Sequence, residues 1–274
     1  MGVPAGLLLS TVVFTWLSST LTDSQFLSWG WRVPFLLSCV LIGVGLFIRL
    51  RILETPAFLK LKQTQAGASS PIMSVMRDYR RNVLLAMGMR FAENGTFYIF
   101  TVFVLNYGES RLKLPRNTML FGVIIASVIG LFTIPAFGAL SDRIGRRPVY
   151  MIGALFSLLY AFPFFWLLDT RSTTLIWLAI FMGVNIGHDA MYGPQAAYFS
   201  ELFGTGVRYT GASLSYQLTS VFSGGLAPVI ATALLGSFGS TAVAAYMFLM
   251  ALVTVISTYL APETFREALS TPHK

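Results

Sequence analysis

Hydrophobic residues in this chain run rather than alternate. Continuous apolar stretches lie near residues 1–22, 31–52, 82–107, 117–138, 148–168, 173–200, 210–235 and 240–261. Each is close to the roughly 20 residues that a helix needs to cross a hydrocarbon layer of about 30 Å. The strands of a membrane barrel would instead alternate over about ten residues. The pattern therefore predicts an all-α membrane protein of about eight transmembrane helices, each satisfying its own backbone hydrogen bonds inside the bilayer.

Composition agrees: 55% of the residues are hydrophobic and 11% charged, and mean hydropathy is +0.70, outside the balance of a water-soluble domain. The formal charge of +8 would suit a nucleic-acid binder, but its distribution says otherwise. With the spans above, one set of links and ends carries Arg49, Arg51, Lys60, Lys62, Arg77, Arg80, Arg81, Arg143, Arg146, Arg147, Arg208, Arg266 and Lys274. The other carries Arg32, Arg111, Lys113, Arg116 and Arg171. This is the positive-inside asymmetry that orients helix bundles, so the basic excess reports topology and no nucleic-acid partner is expected. It places the start of the chain, the 53–81 link and the C-terminal tail in the cytoplasm.

Cys39 stands alone in an apolar run, which leaves no disulfide framework or cysteine-built metal site. The first apolar run lacks a basic leader and reads as a span; Gly6 occupies the position where a myristoylation signal needs Ser or Thr. The sequence offers no nucleophile and base pair, metal-ligand cluster or phosphate loop, so neither an enzyme nor a cofactor is expected.

The long polar link, LETPAFLKLKQTQAGASSPIMSVMRDYRR over 53–81, divides two spans from six. The implied organisation is two helices in 1–52, the linker 53–81, a six-helix unit in 82–261 and a tail in 262–274. RILETPAFL after the second run and LAPETFREAL after the eighth form a faint echo, as equivalent helix ends in internal repeats would.

MRFAENGTFYIF, residues 89–100, puts an arginine, a glutamate and an asparagine inside an apolar run. Counted from Asn82 at about 1.5 Å per residue, Arg90 lies about 12 Å into the membrane and Glu93 about 16 Å. Helical spacing gathers Arg90, Glu93, Asn94, Phe97, Tyr98 and Thr101 on one stripe. Ionisable groups at such depth normally face a bundle interior or an aqueous cavity and mark a pathway; the alternatives are that Arg90 and Glu93 merely neutralise each other or that Arg90 snorkels to the surface. Asn185, His188, Asp189, Tyr192 and Gln195 form a second stripe, with Asp189 about 18 Å from Glu201. His188 and Asp189 point about 100° apart, so one of them at most aims squarely at a cavity. Asp189 is the favoured one and His188 a helix-contact residue, the reverse staying open. Tyr216 and Gln217 are weaker candidates, and Gly224 and Gly225 ahead of Pro228 suit close packing or bending.

GALSDRIGRRP, residues 138–148, joins the fourth and fifth runs. Its glycines permit a tight backbone, Asp142 can accept from the neighbouring guanidinium groups, and Pro148 suits a first helical turn. A basic inside loop explains the arginines but not the ordered pattern. The segment resembles the signature loop of the major facilitator superfamily, in its copy between that family's helices 8 and 9. The resemblance implies that Asp142, Arg143, Gly145, Arg146 and Arg147 belong to a cytoplasmic charge latch favouring the outward-open state.

YGPQAAYFSELFGTGVRYTGASLSYQ, residues 192–217, is similar to the metabolite:proton symporter branch of that superfamily, which includes shikimate, α-ketoglutarate and proline/betaine carriers; WGWRVPFLLS and RFAENGTFYIFTVFVLNYG are similar to it as well. Gly204 departs from the proline that the branch carries in this turn, loosening the expected cytoplasmic pairing of Glu201 with Arg208.

The resemblance implies a proton-coupled symporter for a small carboxylated metabolite, in a bacterial inner membrane, monomeric when complete and working by alternating access. Arginine suits bidentate capture of carboxylate, so Arg90 is expected to bind substrate, with Asn94, Tyr98, Asn185, Gln195 and Gln217 around it. Glu93 or Asp189, with His188 nearby, would take the proton, because a poorly solvated carboxyl group resists ionisation. A proton-coupled exporter and a non-transporting remnant are the alternatives. The match covers only helices 5 to 12 of a twelve-helix family. This predicts that the chain alone does not transport, and that its Arg90–Glu93 stripe faces lipid or a poorly packed gap.

Overall fold

A computed structural model describes residues 2–51, 71–204 and 206–265. The described chain is helical: α1 (Gly2–Thr20), the short α2 (Asp23–Ser28), α3 (Val33–Arg51), α4 (Pro71–Asp78) and α5, unbroken over 80–112. There follow α6 (Arg116–Ile144), α7 (Arg146–Asp169), α8 (Thr173–Glu201), α9 (Arg208–Phe238) and α10 (Ser240–Leu260). Most of the 53–81 link and of the tail lies outside the described residues, with the first half of the LETPAFL echo.

Seven of these helices are long and apolar enough to cross a membrane: α1, α3 with its preceding turn, and α6 to α10. Each matches an expected span. The run near 82–107 is not among the seven, although α5 is longer than a span, because Arg90, Glu93 and Asn94 interrupt its apolar sequence. This is an integral, multi-pass membrane protein.

Helices α5 to α10 pack on one another: α10 lies against α7 and α5, α8 against α7 and α6, and α9 against α5. Small residues allow the closest approach. A Cβ on Gly153 of α7 would lie 2.7 Å from the carbonyl oxygen of Gly187 in α8, backbone against backbone, as small residues permit at membrane helix crossings. Gly153→Val is expected to destabilise the bundle by about 1–3 kcal/mol through overpacking, read as an earlier unfolding midpoint in detergent.

The interior has two apolar clusters. One gathers Phe100, Phe103, Tyr107, Phe164, Leu168, Ile176 and their neighbours; the other gathers Val83, Met89, Tyr150, Met191, Tyr198 and Phe203. Along α5, Arg90 and Glu93 follow Val83 and Met89 of the second cluster and precede Ile99 to Tyr107 of the first.

Three helices leave the α-helical hydrogen-bond ladder beside those stripes. A π-helical segment occupies Ile99–Phe103 in α5, Met182–His188 in α8 and Ser220–Gly225 in α9. A π turn inserts an extra residue and re-aims the side chains after it.

Candidate functional site

Arg90 is 4% exposed and Glu93 2%. The expectation that their stripe faces lipid or a gap is overturned, because α8 and α9 of the same chain cover it. Arg90 Nη1 donates to Glu93 Oε2 at 2.9 Å and to Gln195 Oε1 at 3.1 Å. Its Nη2 donates to Asn94 Oδ1 at 3.4 Å and to Ser220 Oγ at 3.2 Å. The ring of Tyr216 lies over the guanidinium carbon at 3.1 Å from its centroid, a cation–π contact strengthened by exclusion of water. Arg90 Nε, also buried, has no hydrogen-bond partner among the described residues.

Gln195 ties the pair together. Its amide oxygen accepts from Arg90, while its Nε2 donates to Glu93 at 2.8 Å and to the Tyr150 hydroxyl at 3.2 Å. Tyr150 in turn donates to the carbonyl of Met89 at 3.1 Å. Asn94 donates to Ser223 Oγ at 3.2 Å, so the π segment of α9 supplies both serines that meet the α5 stripe.

The structure reverses the favoured orientations on α8. His188 joins the Arg90 cluster: its Nε2 is 3.3 Å from Glu93 Oε1, and its ring packs between Phe97 and Tyr192 at centroid distances of 4.5 and 5.1 Å. Asp189, fully buried, turns towards α6, where it accepts from the hydroxyl of Thr133, and it also accepts from Asn185 Nδ2 one turn back on α8 at 3.0 Å. The cause lies in the π segment that ends at His188: it breaks the 3.6-residue register on which the expected stripe depends.

Asn185 therefore belongs to the Asp189 group, donating also to the carbonyl of Ala126 at 2.9 Å. Two further expected binders stand apart. Gln217 is exposed, and Tyr98 is 37% exposed. Tyr216, one position from Gln217, takes the place facing Arg90. Sequence reasoning missed Tyr150, Thr133, Ser220 and Ser223, since a hydroxyl in an apolar helix commonly bonds its own preceding turn, as Ser220 does to Tyr216.

A second polar cluster lies at the ends of α6, α7, α8 and α10. Arg146 pairs with Asp142, donates to Ser141 Oγ at 2.8 Å, and reaches Glu201 Oε1 at 3.4 Å. Asp142, Arg146 and Glu201 are thus brought together, and the charge that meets Glu201 is Arg146; Arg208 donates its Nε to the carbonyl of Phe203. Arg143 is exposed, and Arg147 donates to the carbonyl of Tyr259 at 2.5 Å.

Glu263 completes this cluster, and its place in LAPETFREAL gave only a sign of repetition. Its carboxylate accepts the backbone N–H groups of Arg146 and Arg147, both at 3.0 Å. These are orphan donors in the first turn of α7, where a negative charge is favoured. Gly145 makes room for it: φ is +112°, and a Cβ would stand 2.7 Å from Glu263 Oε2. Gly145→Ala is expected to cost about 1–3 kcal/mol in backbone strain and lost capping, measured against Arg143→Ala, which should be near neutral.

Comparison with known proteins places this geometry in context. Residues 1–228 match the model of the Major Facilitator Superfamily. Over 97% of its length the chain is 38% identical to the shikimate transporter of Escherichia coli (strain K12), of which it covers 62%. It is 36% identical over 98% to the inner membrane metabolite transport protein YhjE of the same strain, again covering 62%. It is 30% identical over 98% to that strain's proline/betaine transporter, covering 55%. The chain thus spans somewhat over half the length of these relatives, and they are transport proteins rather than enzymes. With residues 1–228 matching that family's model and seven apolar helices long enough to span a membrane among the described residues, the chain belongs to the Major Facilitator Superfamily.

Proposed function

We propose that this chain carries the substrate-binding and proton-coupling groups of a transporter that takes up a small carboxylated metabolite together with a proton. The observation that carries the reading is Arg90: a buried guanidinium that, among the described residues, has one ion-pair partner, Glu93, and an unsatisfied Nε–H. A buried ion pair is weak support for stability, and an unpaired buried donor costs about 1–3 kcal/mol, so this arrangement has a use beyond holding the helices together. A carboxylate fits the guanidinium fork at two points.

The identity to a shikimate transporter makes shikimate the first probe. Glu93, released from Arg90 by the incoming carboxylate, becomes the natural proton acceptor, because a bare carboxylate in a dry interior is costly. The Arg146 cluster serves as the latch at the cytoplasmic end, with the C-terminus on that side by the distribution of Lys and Arg. Similarity to an inner membrane metabolite transport protein supports location in a bacterial inner membrane.

Thermal unfolding of the purified chain tests this. A ligand that binds only the folded state stabilises it by RT ln(1 + [L]/Kd), about 2.7 kcal/mol at a hundredfold excess over Kd. Small carboxylates, shikimate first, are expected to raise the unfolding temperature more at pH 6 than at pH 8. Stabilisation by amines or neutral sugars, with none by carboxylates, would overturn the reading.

A further inference from the structure

The imidazole of His188 stands between two carboxylates. Nε2 lies 3.3 Å from Glu93 Oε1, and Nδ1 lies 2.9 Å from Asp189 Oδ1. A neutral imidazole carries one N–H, and an ionised carboxylate only accepts. Both contacts are satisfied only when the triad holds one proton more than a neutral imidazole and two carboxylates would.

The rings of Phe97 and Tyr192 pack against the imidazole and restrict its rotation. The two ends of the triad have different surroundings. Glu93 faces Arg90 and Gln195, with Tyr150 beyond the amide and Tyr216 over the guanidinium. Asp189 faces Thr133 and Asn185 and, together with His188 and Phe97, borders a cavity of about 10 Å³, the size of one water, lined on the α1 side by the apolar Val3, Pro4 and Leu7. Beside it, Asn185 Oδ1 is buried without a hydrogen-bond partner among the described residues.

We propose that His188 is a proton relay that separates the place of substrate capture, Arg90 with Glu93, from the place where the coupling proton is loaded, Asp189. The proposal rests on the reading of Arg90 as a carboxylate site. At rest, Arg90 and an imidazolium at His188 balance Glu93 and Asp189. A carboxylate that binds Arg90 removes the cation facing Glu93. The His188 Nε2–H bond then breaks and an O–H bond forms at Glu93 Oε1, while the neutral imidazole keeps its Nδ1–H on Asp189. The negative charge left over now sits on Asp189, beside the water-sized cavity, and is cancelled there by a proton from water. Asn185 Oδ1, with the amide turned over, supplies the acceptor that the new O–H needs. One proton enters for each carboxylate bound.

Two measurements test the relay. The chain has two histidines, so His273→Ala leaves His188 as the single source of imidazole signals. In ¹⁵N-histidine NMR at neutral pH without ligand, both ring nitrogens should carry hydrogen. In Asp189→Asn one proton should be lost, leaving Nε2–H alone. A neutral imidazole in the parent, unchanged by Asp189→Asn, overturns the relay. Titration calorimetry with shikimate, in two buffers of different ionisation enthalpy, counts protons taken up per ligand bound. About one is expected for the parent, and with shikimate bound its imidazole should carry hydrogen on Nδ1 alone; no uptake, or hydrogen still on both ring nitrogens, also overturns the relay. If the parent shows no shikimate binding, the substrate reading fails, and the ligand-free NMR comparison still decides the relay.

Discussion

Arg90→Lys is expected to bind shikimate roughly 10- to 100-fold more weakly than the parent, although the charge is unchanged. A hydrogen bond to a charged group contributes about 1.5–3 kcal/mol, and every 1.4 kcal/mol is about tenfold in affinity. An ammonium at the end of a lysine is a point charge without the planar fork. It also cannot keep at once the contacts of Arg90 to Glu93, Gln195, Asn94 and Ser220 that hold the guanidinium in place. The dissociation constant of the variant, measured by calorimetry, checks this. Parent-like affinity would show that the substrate is held by other groups.

The second large effect is on pH dependence. If binding takes up one proton, affinity rises as pH falls, by as much as about tenfold per pH unit over the range in which uptake is complete. Glu93→Gln removes the group that Arg90 releases and replaces it with a permanently neutral one, so its affinity should be nearly independent of pH between 6 and 8. The substitution keeps the volume and a hydrogen-bond acceptor for Arg90, which limits the cost of leaving that charge without its anionic partner. Dissociation constants at three pH values decide the matter. A variant with the parent's slope would place the coupled proton elsewhere.

Much of the fold was legible because a membrane imposes a simple demand. Runs of about 20 apolar residues are needed to span it, and those near 117–138 and 148–168 lie within α6 and α7, while 240–261 matches α10 to within one residue. The polar run of α5 was legible for the opposite reason, since Arg90 and Glu93 are too costly to place among lipid tails. What the sequence concealed was direction. The stripe on α8 was laid out with 3.6 residues per turn, but the π segment Met182–His188 changes that spacing and carries His188 to Glu93 and Asp189 to Thr133. Gln217 and Tyr216 show the same limit: adjacent residues of an amphipathic helix exchange roles with a small rotation, and only packing against α5 fixes which one meets Arg90. Glu263 was hidden for another reason. Its partners are backbone N–H groups of Arg146 and Arg147, more than a hundred residues away, and backbone donors leave no mark in a sequence.

The carboxylate clamp at Arg90 is the claim on which the rest depends, and the most direct measurement compares shikimate with its methyl ester. The ester keeps the ring and hydroxyl groups but loses the negative charge. The account predicts that the parent chain binds the ester roughly 10- to 100-fold more weakly than the acid, and that Arg90→Lys loses most of that discrimination. Equal affinity of the parent chain for the acid and the ester would contradict it.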